Sequence, residues 1–134
     1  MRILVVEDEP ILAITAAAVL ESEGHDVVGP AYDTAQALAL AACEALDLAF
    51  VDINLNGHDE GVQLARDLRS RFGVASVFVS GQTSSARANR NAALGLLKKP
   101  YEPEALAESA EVAKALLAGS RPPPPIVPAA LEVF

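Results

Sequence analysis

Short, unbroken apolar runs recur along this chain and alternate with longer stretches of helical spacing. The strand-like runs occupy residues 2–6, 25–29, 48–51, 75–79 and 93–97, the second being the weakest. The clearest helix-like stretches occupy residues 10–22, 34–45, 59–71 and 103–117. Continuous apolar runs of this length are typical of strands that are buried on both faces of a parallel sheet. The alternation therefore predicts five consecutive β/α units.

Right-handed crossovers between parallel strands place the helices on both faces of the sheet. The common arrangement of five such strands is the flavodoxin-like, doubly wound order 2-1-3-4-5, in which strands 1 and 3 are neighbours. Residues 82–91 contain almost no apolar residue except alanine, so we expect the fourth helix to be short or irregular. The first helix is marked by the apolar spacing of Ile11, Ile14 and Ala18.

The chain divides by composition into one domain, residues 1–118, and a proline-rich C-terminal tail, residues 119–134. Four consecutive prolines, Pro122 to Pro125, favour an extended conformation and forbid a helix there. The tail also contains Ile126, Val127, Leu131, Val133 and Phe134. These apolar residues suggest that the tail docks on a partner or on its own domain.

Charge and composition exclude several classes of function. The net charge of −8 disfavours nonspecific nucleic-acid binding, which depends on lysine and arginine at the phosphates. No apolar run reaches the ~20 residues that a membrane span needs. The single cysteine, Cys43, fits a reducing cytoplasm, and we expect it to be a small packing residue. We interpret His25 and His58 as solvated loop residues.

Charged residues follow three of the strand-like runs. Glu7 and Asp8 end the first run, Asp52 ends the third and Lys99 ends the fifth. The carboxyl ends of parallel strands meet at one edge of the sheet, where such folds bind ligands. Three carboxylates there would repel each other unless a cation joined them, and Mg²⁺ prefers oxygen ligands. We therefore predict a magnesium-assisted phosphoryl site with Asp52 as the nucleophile.

In this prediction Asp8 and Asp52 bind the metal directly, Glu7 acts through water, and the main-chain carbonyl of Asn54 adds an oxygen. The alternative is that Glu7, Asp8 and Glu9 merely cap the first helix and favour its positive end.

Two further residues complete the predicted site. Ser80 ends the fourth run, and its hydroxyl can donate to a phosphoryl oxygen on Asp52. The ammonium of Lys99 can pair with Asp52 and then with the phosphoryl group. The Lys99–Pro100 bond is a candidate cis peptide. The alternatives are a serine that caps a helix or forms a turn, and a solvated lysine.

The ordered set of Glu7-Asp8, Asp52, Ser80 and Lys99-Pro100 resembles the receiver domain of two-component response regulators over residues 1–118. This resemblance implies that Asp52 accepts a phosphoryl group from a histidine kinase or a histidine phosphotransfer protein. It also implies Mg²⁺ bound by Glu7, Asp8, Asp52 and the Asn54 carbonyl, with Ser80 and Lys99 contacting the phosphate. A downstream protein partner would detect the change, and the chain would be an acceptor, not a turnover enzyme.

The chain departs from the family pattern at three points. Glu7 replaces one aspartate of the usual acidic pair, and Leu96 occupies the position of the usual switch aromatic. The interval from Ser80 to Lys99 is short and polar. With Tyr101 after Lys99-Pro100, these features resemble an atypical group of stand-alone alphaproteobacterial receivers. Tyr101 either replaces the missing ring or packs at the start of the fifth helix.

Two other functions remain as alternatives. One is a receiver-like docking module that works without phosphorylation. The other is a phosphatase of the haloacid dehalogenase type, which needs an acid two residues after its nucleophile, where this chain has Asn54. The sequence also leaves open whether the chain forms a homodimer.

Overall fold

The fold is built on one central sheet. A computed structural model of the chain describes residues 1–55, 60–119 and 127–134. The strands are β1 (Arg2–Val6), β2 (Asp26–Ala31), β3 (Leu48–Asp52), β4 (Ala75–Ser80), β5 (Gly95–Lys98) and β6 (Leu131–Val133). The first five are parallel in the order β2-β1-β3-β4-β5, so the predicted flavodoxin-like topology is confirmed.

The sixth strand was not predicted. It pairs antiparallel with β5 at the edge of the sheet, so the proline-rich tail returns a strand to the domain.

Helices cover both faces of the sheet. They are α1 (Pro10–Ser22), α2 (Thr34–Cys43), α3 (Glu60–Phe72), α4 (Thr83–Ala88) and α5 (Pro103–Leu117), with a 3₁₀ turn at Arg90–Ala92. Helices α1 and α5 contact each other on one face, and α2 and α3 do so on the other. The prediction of a short fourth helix is confirmed, because α4 has only six residues. No helix among the described residues is long and apolar enough to cross a bilayer.

The sheet separates two apolar layers, and β1 shows how. Ile3 and Val5 point toward α1 and α5, whereas Leu4 and Val6 belong to the layer beneath α2 and α3. This division follows from the alternation of side chains along a strand. Because both faces are covered, the strand is apolar without interruption, as the sequence pattern required.

Helix α1 presents an unexpected face to the sheet. Its buried residues are Ala13, Ala16, Ala17 and Leu20. Ile11 and Ile14, two of the residues whose spacing marked the helix, are 79% and 59% exposed. Alanine lets the helix approach the sheet closely, and the larger side chains then face outward.

Two residue-level expectations were wrong. His25 is buried, because the turn at Gly24 directs its ring between the start of β1 and α5, with Nδ1 3.2 Å from the Met1 amino nitrogen. Cys43 is exposed, because α2 buries Ala37 and Ala41 and its last residue lies off that face. His58 lies outside the described residues.

Candidate metal centre at the carboxyl edge of the sheet

The strand register brings the predicted residues to one level of the sheet. Val6 of β1 lies opposite Val51 of β3. The next residue along each strand, Glu7 and Asp52, therefore lies at the same edge of the sheet. On the other side Asp52 lies opposite Val79, one residue before Ser80. The convergence is thus a direct consequence of parallel strands in the order predicted.

Three carboxylates form a compact cluster at this edge. Glu7, Asp8 and Asp52 each offer one carboxylate oxygen, and these oxygens lie within 4.8 Å of one another. Glu7 and Asp52 are buried, whereas Asp8 is partly exposed. The donor set fits Mg²⁺, which binds hard oxygen ligands and keeps several waters on its exposed side.

The backbone holds two of these carboxylates in place. The main-chain N–H of Glu9 donates to Glu7 Oε2 at 3.2 Å. The main-chain N–H of Asn54 donates to Asp52 Oδ1 at 3.1 Å. Each bond fixes one carboxylate oxygen and leaves the other available to a cation. The metal contact predicted for the Asn54 carbonyl stays a prediction.

Lys99 is the cation that bridges the cluster. Its Nζ donates to Glu7 Oε1 at 2.7 Å and to Asp52 Oδ2 at 3.2 Å. The main-chain N–H of Lys99 donates to the carbonyl of Ser80 at 3.0 Å, and a cis peptide joins Lys99 to Pro100. Because its ammonium bonds to two buried carboxylates, the side chain of Lys99 is directed inward, and the alternative of a solvated surface lysine does not describe it.

The electrostatics of the cluster are dominated by burial. Burial raises the pKa of Glu7 to about 7; the hydrogen bond from Lys99 opposes this rise, and Asp52 adds to it. Burial by itself lowers the pKa of Lys99, but its bond to Glu7 and the charge of Asp52 outweigh that effect and raise the pKa overall. Lys99 therefore stays protonated, and its single positive charge does not balance the three carboxylates of the cluster.

Ser80 lies at the same edge but is engaged elsewhere. Its side chain is buried, its hydroxyl donates to the carbonyl of Gln82 at 3.2 Å, and its Oγ accepts from the N–H of Gln82 at 3.0 Å. Ser80 therefore forms a local turn, as the alternative interpretation stated. Its phosphoryl contact stays a prediction. The bonds of Ser80 to Gln82 were not predicted, although the Ser80-Gly81 pair is a turn signal.

Leu96 and Tyr101 lie on opposite sides of the sheet. Leu96 is buried in a small cluster with Ala86 and Ala92, on the side of α4. Tyr101 packs in the layer of α1 and α5, and burial, followed by the charge of Glu7, raises its pKa. Its ring thus packs just before α5, which favours the packing alternative over the replacement of an aromatic at Leu96.

A cavity adjoins the cluster on the α1 side. It has a volume of about 400 Å³, and its lining includes Leu12, Lys99, Tyr101, Pro103 and Leu106. Thr15, Lys99 and Tyr101 contribute the polar groups of a lining that is otherwise apolar. No sequence pattern marked the cavity, because it forms between α1 and the segment from Lys99 to Leu106, which are far apart in the chain.

Comparison with protein families gives one match over most of the chain. The family model described as "Response regulator receiver domain" matches residues 3–111. Among curated proteins, the aerobic respiration control protein ArcA of Escherichia coli is 34% identical over 108 residues, covering 78% of this chain and 44% of ArcA. The transcriptional regulatory protein PdtaR of Mycobacterium tuberculosis is 30% identical over 116 residues, covering 84% of this chain and 56% of PdtaR.

The phyllosphere-induced regulator PhyR of Methylorubrum extorquens is 30% identical over 104 residues, covering 76% of this chain and 39% of PhyR. The chain thus spans about half the length, or less, of these curated relatives.

Solved structures show the same fold. The receiver domain of NtrX from Brucella abortus aligns with a TM-score of 0.77 and 31% identity, covering 88% of this chain and 99% of that domain. A CheY-like receiver domain protein from Methanospirillum hungatei aligns with a TM-score of 0.75 and 29% identity, covering 88% and 94% of the two chains.

Proposed function

Because the chain belongs to the response regulator receiver domain family of two-component signalling, we propose that Asp52 accepts a phosphoryl group from a phosphohistidine donor. The observation that supports this most strongly is the cluster itself. The Asp52 carboxylate lies buried between two further carboxylates and the ammonium of Lys99. The expected compartment is the cytoplasm, where such donors act and where an exposed Cys43 stays reduced.

The chemistry is a direct transfer to a carboxylate. An oxygen of Asp52 attacks phosphorus, and the new O–P bond forms as the P–N bond to the donor imidazole breaks. The electron pair of that bond passes to the imidazole nitrogen, which takes a proton from water. Glu7, Asp8, Asp52 and the Asn54 carbonyl would hold Mg²⁺, which when bound neutralises charge on the phosphoryl oxygens.

Two side chains stabilise the product. The ammonium of Lys99, which now bonds to Asp52 Oδ2, exchanges this bond for one with a phosphoryl oxygen on the same residue. Ser80 turns its hydroxyl from Gln82 toward a second phosphoryl oxygen. Both rearrangements follow from the added charge of about −1.5 to −2.

The exposed apolar residues in the first turns of α1 are a docking surface for a histidine kinase or a phosphotransfer protein. Ile11, Leu12 and Ile14 are exposed large apolar residues, and they lie just after Asp8 in the chain. An exposed apolar patch of this kind marks an interaction surface. A donor whose phosphohistidine must reach Asp52 would bury this patch and the adjoining cavity.

The same site argues against the alternative functions. A phosphatase with an aspartate nucleophile needs a proton donor for the leaving group, and Asn54 has no acidic proton. A docking module that works without phosphorylation has no use for a buried carboxylate cluster that costs folding free energy. We therefore propose an acceptor whose phosphorylated form is recognised by a downstream protein.

Mass measurement tests the proposal. Incubation with Mg²⁺ and a small acyl phosphate should add the mass of one phosphoryl group to the wild type and none to Asp52→Asn. Asp67→Asn is the matched control, because Asp67 is remote on α3 and bonds only to Gln63 among the described bonds. A gain that survives Asp52→Asn would refute the proposal, as would its absence from wild type with both small donors and histidine kinases.

A further inference from the structure

The C-terminal strand is attached to the domain through its backbone. Leu131–Val133 pairs antiparallel with Gly95, Leu96 and Leu97 of β5. The N–H of Lys98 donates to the carbonyl of Ala130 at 2.9 Å, and the N–H of Phe134 donates to the carbonyl of Leu94 at 3.0 Å. The strand thereby covers an edge of β5 that would otherwise expose unpaired backbone groups.

Gly95 shows that the sheet edge is shaped for this strand. A Cβ atom at position 95 would lie 2.6 Å from the carbonyl oxygen of Glu132 and 3.4 Å from the Cα of Val133. No side chain larger than hydrogen fits between β5 and β6 at this point. The close approach of the two backbones therefore depends on the residue type at position 95.

Side chains tie the same strand to α4 and the turn that follows it. The guanidinium of Arg87, in α4, donates to both carboxylate oxygens of Glu132, through Nε at 3.0 Å and Nη2 at 2.8 Å. The guanidinium of Arg90 lies 5.5 Å from the centre of the Phe134 ring. Phe134 also packs against the cluster that contains Ala86 and Leu96. The position of the tail thus depends on the position of α4.

Helix α4 is weakly held between its two ends. It has six residues, of which only Ala86 is buried, and its N-cap residue Gln82 makes no side-chain capping bond. A helix of fewer than two turns has little stability of its own. The helix begins directly after Gln82, whose main chain bonds to Ser80. Near its end, Arg87 bonds to Glu132.

We propose that β6 is a displaceable strand, released from β5 when Asp52 is phosphorylated, and that the exposed β5 edge then binds an extended segment of a partner protein. The inference rests on the proposed function. The serine hydroxyl has one proton, so Ser80 cannot donate to a phosphoryl oxygen and to the Gln82 carbonyl together. Phosphorylation therefore removes a bond at the start of α4, the helix shifts, and Arg87 leaves Glu132.

The tail itself indicates the chemistry of the partner. The segment that fits the edge alternates apolar, acidic and apolar side chains in Leu131, Glu132 and Val133 and ends with an aromatic ring. Arg90 remains beside the vacated edge to contact an aromatic ring. The ion pair of Arg87 is lost when α4 shifts, so the partner is held mainly by the main chain of β5 and by apolar contacts. A partner strand with this pattern would add to β5 through main-chain hydrogen bonds.

Hydrogen exchange on the full-length chain tests the release. We expect phosphorylation to speed exchange of the Phe134 and Lys98 amides by about tenfold or more, since local opening governs such rates. Arg87→Gln should give fast exchange without phosphorylation and still gain the phosphoryl mass, whereas Arg69→Gln, an exposed arginine on α3, should behave as wild type. A mass gain with unchanged exchange overturns the inference alone. No mass gain overturns the proposed function and this inference with it.

A labelled peptide with the sequence of residues 127–134 and the substitution Glu132→Gln tests the exposed edge. The peptide forms no ion pair with Arg87, so a shift of α4 does not weaken its own pairing with β5. It should bind phosphorylated wild-type protein at least about tenfold more tightly than the unphosphorylated form, because the tail no longer competes. Gly95→Ala should show fast exchange in its tail yet fail to bind the peptide, since the added methyl occupies the space of the peptide backbone. Equal binding to both forms, or binding to Gly95→Ala, overturns the proposed surface.

Discussion

Lys99 is the residue on which the charge balance of the site depends. Its ammonium bonds to Glu7 and Asp52, so it is a built-in counter-charge for a cluster of three carboxylates. Removal of one partner from a buried ionic group leaves the other partner desolvated and uncompensated. The lysine and a bound cation should therefore stabilise the same carboxylates, and each should matter more when the other is missing.

Replacement of the lysine tests this balance. Lys99→Met should lower the free energy of unfolding by about 1–3 kcal/mol in the presence of chelator at pH 8, because it leaves Glu7 and Asp52 without their donor. Saturating Mg²⁺ should reduce the difference from wild type. Urea unfolding followed by circular dichroism, with and without Mg²⁺, measures both effects.

Lys98→Met is the matched control, because Lys98 is partly exposed and forms none of the described salt bridges. It should change the free energy of unfolding by less than about 0.5 kcal/mol. If Mg²⁺ stabilises Lys99→Met no more than it stabilises wild type, the lysine and the metal do not share the carboxylates.

At the scale of residues, the sequence was informative where position along a strand decides placement. Glu7, Asp52 and Lys99 each end an apolar run, and parallel pairing alone brings such residues together. His25 and Cys43 gave no such signal. The burial of His25 depends on how a loop packs against α5, and the exposure of Cys43 depends on which face of an alanine-rich helix meets the sheet.

At the scale of elements, the start of α3 packs closely against the end of β3. The N–H of Gly61 donates to the carbonyl of Ile53 at 2.9 Å. A Cβ atom at Gly61 would collide with the carbonyl oxygen of Asp52 and lie 2.5 Å from the Cα of Ile53. Both neighbours are backbone atoms, which cannot move without shifting the end of β3. The glycine therefore sets the distance between α3 and Asp52.

Gly61→Ala should destabilise the fold and disturb the site together. We expect a loss of about 1–3 kcal/mol in the free energy of unfolding, typical of overpacking. Transfer from a small acyl phosphate should also slow under conditions where the variant is fully folded, because the Asp52 backbone has shifted. Chemical unfolding and the time course of the mass gain provide the two measurements.

Gly81→Ala is the control, since the nearest atom to its Cβ would be Lys99 Cβ at 4.0 Å. Its free energy of unfolding should change by no more than about 0.5 kcal/mol or rise slightly. Equal stability of Gly61→Ala and wild type would show that α3 can move away at no cost.

The orientation of α1 and the existence of β6 show where sequence patterns were insufficient for whole elements. Helix α1 is apolar around most of its circumference, so periodicity could mark the helix but could not choose its buried face. Strand β6 has three residues and follows a proline-rich segment. It contacts Gly95 and Arg87, which are distant in sequence from the tail, so no local pattern marks the pairing.

For the whole molecule, the buried histidine connects three parts of the structure and makes stability depend on pH. Burial lowers the pKa of His25 below the ordinary histidine value, and the Met1 amino group and Lys114 lower it further, while Glu111 and Glu23 raise it. Glu111 approaches Nε2 at 3.6 Å from α5. The ring thus links the start of β1, the start of β2 and α5 in its neutral form.

The sign of the pH effect follows from proton binding. Below the ordinary histidine pKa of about 6.5 the unfolded chain binds a proton that the folded chain resists, so the free energy of unfolding falls as pH decreases through this region. Glu7 acts oppositely. Its pKa is raised from 4.5 to about 7, so the folded chain holds the extra proton there and the contribution of Glu7 to stability falls as pH rises.

A comparison with His25→Asn separates the two effects, because Glu7 is the same in both proteins. Between about pH 5 and 6.5 the free energy of unfolding should rise with pH more steeply in wild type than in the variant. Above that range the two curves should run parallel, whatever constant offset the substitution introduces. Urea titrations at half-unit pH intervals give these slopes. Parallel curves throughout the acid range would mean that the histidine is protonated as readily in the folded chain as in the unfolded one, and that its burial does not hold the ring neutral.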